Sequence, residues 1–248
     1  MNRTNRLLRR NCLSVPAGLL GLVVLLCLTA CSSNTLTRSR AADLIKSGEE
    51  FQKPILITLQ PEYRQSLTLI GTGSQTTPKE EFALRRFLES HADLAVLRHL
   101  EMVDFKVSKI EYPDSASSPV TVTATLTDEG RSASREWQQS GGGWAIPIAR
   151  RELVEVTGLT GGEGKSKEAR AEYTWRWQPT EIGKSFDTSG REYQSLPEMI
   201  RQSLGGASMA DMMRQVGRVI VFDSSEAQMA YASFRLYDGG WRLDKPSI

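Results

Sequence analysis

Ala169-Arg170-Ala171-Glu172-Tyr173-Thr174-Trp175-Arg176-Trp177 alternates small or aromatic residues with charged or hydroxylated ones over nine positions. That period of two belongs to a strand with one dry face and one wet face, so the stretch predicts a half-buried strand of an antiparallel sheet. Upstream, Leu153 to Leu159 is also strand-like, and Gly161 to Lys167 between them is a glycine-rich, charged turn. The two runs predict a hairpin pairing 153–159 with 169–177. Further strands are expected at Trp144 to Ile148, Val219 to Phe222, Met229 to Tyr237 and Trp241 to Leu243. Asp238-Gly239-Gly240 supplies the last turn.

The first half reads differently. Leu44, Ile45 and Phe51 suggest a short helix within 41–51, and Ile55 to Leu59 a strand bounded by Pro54 and Pro61. Leu67 to Ile70 is another short apolar run. Lys79, Glu80 and Glu81 open a helix with acids where its dipole favours them. Ser90, with Asp93 three positions on, predicts a capped restart, giving helices at about 79–89 and 91–102. Val103 to Tyr112 is a strand candidate. Val120, Val122, Ala124 and Leu126 alternate with threonines in a second one. The expected class is α+β: a helical part over 41–135, then a mainly antiparallel β part over 136–248.

The 248-residue chain has ordinary globular composition, with 40% hydrophobic and 24% charged residues. Its formal charge of +2 is unevenly spread. Arg3, Arg6, Arg9 and Arg10 sit in the first thirty positions, which hold no acid, so the remainder is slightly acidic. A body without a basic excess argues against nucleic acid as a partner.

The first thirty residues read as an export signal: a positive head from Arg3 to Arg10, an apolar run from Val15 to Leu28, and a small-residue exit. The run is shorter than the roughly 20 residues a bilayer span needs. Leu28-Thr29-Ala30-Cys31 resembles the lipobox of bacterial lipoproteins. The resemblance implies cleavage before Cys31, a diacylglyceryl thioether on its sulfur and an acylated amine. Ser32 stands where an aspartate often marks inner-membrane retention, so the resemblance implies the inner leaflet of the outer membrane, facing the periplasm. Ser32 to Arg40 is polar and reads as the end of a 31–40 tether. Of the three cysteines, Cys12 and Cys27 would be discarded and Cys31 consumed by lipid, leaving no thiol for a disulfide, a zinc site or a nucleophile.

The order of helices followed by a hairpin, ending in Leu126-Thr127-Asp128-Glu129-Gly130-Arg131, resembles a winged-helix domain over about 41–135. Its recognition segment would be Asp93 to Asp104, which carries Asp93, Glu101 and Asp104 against Arg98. DNA-reading helices are basic, so the resemblance implies a scaffold here.

Candidate sites are few. Gly161-Gly162-Glu163-Gly164-Lys165-Ser166 ends like a phosphate-binding loop, but Leu159 stands where the motif needs its first glycine, and a strand follows instead of a helix. His91 and His99 lie about 12 Å apart along a helix, too far to share a metal. Trp175 and Trp177 share one strand face and could line a ligand pocket, although paired tryptophans also serve as core. Met209, Met212 and Met213 follow helical spacing, as a soft site for Cu(I) or an amphipathic stripe would. No catalytic set and no cofactor are expected. The functional expectation is a lipid-anchored envelope protein that binds another envelope protein or component. The alternative is a small-molecule or metal carrier.

Overall fold

A computed structural model describes residues 35–68, 79–111, 117–164, 166–205 and 221–247. The expected export signal, Cys31 and the Met209, Met212 and Met213 group lie outside the described residues. Thr37 caps the first helix, α1 (Arg38–Ser47), its hydroxyl accepting from the Arg40 N–H at 3.2 Å. Leu36 is buried and Arg38 to Arg40 are helical, so the described end of the stretch expected to tether through Arg40 belongs to the fold. Gly48 ends α1, and one further turn, α2 (Glu49–Gln52), buries Phe51.

Two all-antiparallel sheets follow. The larger is ordered β1-β6-β7-β8-β9, with the short β5 beside β6. Its members are β1 (Ile55–Leu59), β5 (Gln138–Ser140), β6 (Gly143–Gly161), β7 (Glu168–Pro179), β8 (Gln228–Tyr237) and β9 (Gly240–Ser247). The smaller is ordered β2-β4-β3, from β2 (Glu62–Thr68), β3 (Val103–Ile110) and β4 (Ser117–Leu126). Between β2 and β3 run α3 (Lys79–Ser90) and α4 (Ala92–His99). After β4 comes α5 (Asp128–Ala133). α6 (Arg191–Ser195) and α7 (Glu198–Gly205) follow β7, and α7 packs on α3 and α4. The class is therefore α+β. Among the described residues no helix is long and apolar enough to cross a membrane.

The 153–159 with 169–177 hairpin forms, with Leu153 opposite Trp175 and Leu159 opposite Ala171. Three expectations need correction. Trp144 to Ile148 and Leu153 to Leu159 are one 19-residue strand, β6, because Arg150, Arg151 and Glu152 continue the pairing to Gln178, Trp177 and Arg176. Ser90 does not cap α4. It is the last residue of α3, and its hydroxyl donates back to the Phe87 carbonyl at 2.9 Å. Of Val219 to Phe222, only Phe222 is paired among the described residues, in a single parallel bridge to Asp187.

Two apolar clusters fill the interior. In one, Leu36, Ala41, Ile45 and Phe51 lie against Tyr173, Trp175, Ala232, Phe234 and Trp241 of the large sheet. In the other, Phe87, Leu94 and Leu97 of the helices meet Val103 and Val122 of the small sheet and Ile146, Ile148, Phe186 and Phe222. This second cluster draws on both 41–135 and 136–248, and β1 pairs with β6, so the two parts share a core. Full burial of one such side chain contributes about 1.5–3 kcal/mol.

Candidate functional site

Tyr173, Trp175 and Trp177 stand in one row on the inner face of β7, while Arg170, Glu172 and Arg176 point outward and are exposed. Trp175 is buried and Trp177 half-buried, with their rings edge to face at 4.9 Å. Register places Arg151 of β6 opposite Trp177. Its guanidinium lies 4.7 Å from the Trp175 ring centre and 5.3 Å from that of Trp177, a cation held over two π faces. Glu50 of α2 fixes it from the other side, accepting from Arg151 Nη1 at 2.9 Å. Phe51 packs on Tyr173 at 6.0 Å. Burial pushes the Tyr173 phenol above its ordinary range, and the Glu50 carboxylate adds to this against the opposing pull of Arg151.

Three polar atoms in this cluster are buried without a hydrogen-bond partner: Arg151 Nε, Trp175 Nε1 and Tyr173 Oη. Buried polar groups are normally paired. Two of the three are obligate donors, and the phenol can donate as well. A groove of about 470 Å³ between α2 and β6 opens at Arg151, lined by Glu50, Lys53, Pro54, Ile55, Arg151 and Trp177. The groove offers an oxygen acceptor the Arg151 guanidinium beside the Trp177 ring. The arrangement brings Trp175 and Trp177 together, as their alternation predicts. Arg151, Glu50 and Tyr173 were not legible as its members. Tyr173 carried the only signal, through its place in the same row. Glu50 and Arg151 are 101 residues apart and meet only because α2 packs on β6.

A second polar constellation joins two loops. Asp187 is buried and accepts from the Ser189 N–H at 3.2 Å, Ser189 Oγ at 2.7 Å, the Ser224 N–H at 3.1 Å and Ser224 Oγ. Burial alone would raise its carboxyl, but the combined hydrogen bonds from Ser224 and Ser189 outweigh it and hold the group below its ordinary value. Asp223 repeats the local turn, accepting from the Ser225 N–H and hydroxyl. Both carboxylates are committed to loop closure.

His91 stacks on Phe87 at 4.5 Å, with Nδ1 3.0 Å from the Phe87 carbonyl oxygen. His99 lines a separate groove of about 580 Å³ between α3, α4 and α7, whose apolar wall includes Leu84, Leu88, Ala95 and Ile200. The glycine-rich loop is the β6–β7 turn, with Gly161 and Gly162 at φ of 79° and 82°. Among the described residues no group of three His, Cys, Asp or Glu could hold a metal ion. Comparison with protein-family models, curated proteins and solved structures finds no match to the chain.

Proposed function

We propose that the chain is a lipid-anchored cell-envelope protein whose α+β body is a non-enzymatic binding or scaffolding module for another envelope protein or component. The observation that carries this reading is Leu28-Thr29-Ala30-Cys31 behind a basic, apolar export signal. An acylated Cys31 supplies the membrane partner. Each buried methylene contributes about 0.8 kcal/mol and one chain holds only marginally, so several chains make a stable anchor. The leaflet proposed is the inner one of the outer membrane, facing the periplasm. The helix–helix–hairpin part is proposed to be winged-helix-like, supported by the order β2-β4-β3 with α3 and α4 between β2 and β3. Its use is as a scaffold. Six consecutive residues of α4, Ala92 to Leu97, are buried, which leaves only Arg98 and His99 of that helix exposed, too little for a helix that reads a nucleic-acid groove.

Cys31→Ser tests the reading. Wild-type protein should begin at a lipid-modified Cys31 by mass spectrometry and fractionate with the outer membrane. The variant should retain its first thirty residues and carry no lipid. A wild-type polypeptide that is unmodified and begins at Met1 overturns the proposal.

The alternative reading, a small-molecule carrier, is favoured by the three unpartnered donors around Trp175. Octanoate, with a carboxylate for the donors and an apolar tail for the rings, is a suitable probe. Tryptophan fluorescence should change on titration with wild type and not with Arg151→Met. An unchanged signal in wild type counts against it. Cu(I) titration tests the Met209, Met212 and Met213 group in the same way.

A further inference from the structure

The two ends of the large sheet are built differently. At one end the β6–β7 turn, the β8–β9 turn and the start of α1 converge. The Leu36 N–H donates to the Gly162 carbonyl at 3.0 Å, and the Leu236 N–H donates to the Lys167 carbonyl at 2.8 Å, joining the two turns. A Cβ on Gly162 would lie 2.9 Å from the Leu36 Cβ, and one on Gly240 would lie 2.8 Å from Arg40 Nη2, so α1 closes directly on both turns.

The surface this end presents is basic and aromatic. Arg38, Lys167, Arg235 and Arg242 are exposed and Arg40 is half-exposed, against Glu163, Asp238 and Glu168, the last paired with Arg235 at 3.3 Å. Tyr237, at the tip of β8, is 45% exposed, with the Arg242 guanidinium 5.4 Å from its ring centre. A tyrosine with an apolar body and a polar tip suits a membrane–water boundary, where such rings concentrate. Arginine and lysine beside it suit anionic headgroups.

Chain length supplies the second argument. Five steps separate Cys31 from Leu36, and five residues reach at most about 18 Å when fully extended. Along β6, the Gly143 end lies as much as about 60 Å from the Gly161 end, at roughly 3.3 Å per residue. A leash that short holds the turn-bearing end within a few Debye lengths of the lipid and leaves the far end out of reach.

We infer that the end of the sheet formed by the β6–β7 and β8–β9 turns rests on an anionic lipid surface, with Tyr237 at headgroup depth and Arg40, Lys167 and Arg242 facing the lipid phosphates. The inference rests on the lipid-anchor reading above.

Its test uses the full lipidated chain reconstituted in vesicles of phosphatidylethanolamine and phosphatidylglycerol. A nitroxide is placed by Gly239→Cys at the β8–β9 turn or by Gln139→Cys at the far end. Both sites have room, since a Cβ at Gly239 meets nothing closer than 3.7 Å and Gln139 is exposed. Collisional accessibility to oxygen relative to an aqueous nickel complex should be several-fold higher at 239 than at 139. Adding Arg40→Glu and Arg242→Glu to the Gly239→Cys chain should move its ratio toward the aqueous value. A lipidated chain whose label at 239 is as open to nickel as that at 139 overturns this inference alone. A mass showing Cys31 unmodified removes the anchor reading and this inference with it.

Discussion

Arg151 is held by contacts that each favour a different property of its guanidinium. Glu50 takes its charge and its donors, while the faces of Trp175 and Trp177 take its flat, weakly hydrated surface. Arg151→Met keeps the stem and loses the head. It should cost about 1–2 kcal/mol, from the lost cation–π contact and the unpaired Glu50, and should shift tryptophan emission as Trp175 changes neighbours. Urea denaturation followed by fluorescence reads both. Asp187 acts through its hydrogen bonds. Its folded carboxyl titrates below the ordinary 3.8, so its stabilisation is complete at neutral pH and is lost as pH falls through the folded value. Asp187→Asn should lower stability at neutral pH by about 1–3 kcal/mol. It should also flatten the acid limb of a midpoint-against-pH curve. Neither role was legible from sequence: Asp187 and Ser224 lie 37 positions apart, in loops with no periodicity.

Strand pairing was most legible where one face is dry. The alternations at Val120 to Leu126 and Ala169 to Trp177 fixed β4 and β7 because a slip of one residue would turn every side chain to the wrong face. Continuity of β6 was hidden by Pro147 and by the charged Arg150-Arg151-Glu152 run. Pro147 is tolerated beside an irregularity in the pairing with β1, opposite Leu56. Arg151 turns inward onto aromatic rings, where a charge is not expected. At the β4–α5 junction, Thr127 caps α5 by accepting from the Gly130 N–H at 3.0 Å, and its hydroxyl donates to the Glu101 carbonyl. A Cβ on Gly130 would lie 1.9 Å from the Met102 carbonyl oxygen, so only glycine fits there. Gly130→Ala should therefore cost about 1–3 kcal/mol through forced backbone movement, and Thr127→Ala about 1 kcal/mol through the lost cap. Thermal melts of the two variants give that ordering.

The halves expected from sequence interpenetrate in the whole molecule, since β6 contributes Ile146 and Ile148 to one cluster and Leu153 to the other. Ile45→Ala and Phe87→Ala sit in different clusters and should each remove about 2–5 kcal/mol. Both should displace one shared calorimetric transition, because unfolding either cluster strips β6 from the other. Two separable transitions would contradict that coupling. The grouping was invisible in the sequence because it depends on pairings such as Ile57 with Ile146, far apart along the chain. Such distant pairings are slow to assemble. Leu36 shares its cluster with Trp241, so the opening helix leaves the ribosome long before the final strand against which it will lie. Its nearer partners come late as well: the Leu36 N–H donates to Gly162 and α1 packs on β6, so the first helix has no sheet to close on until more than half of the chain has been made.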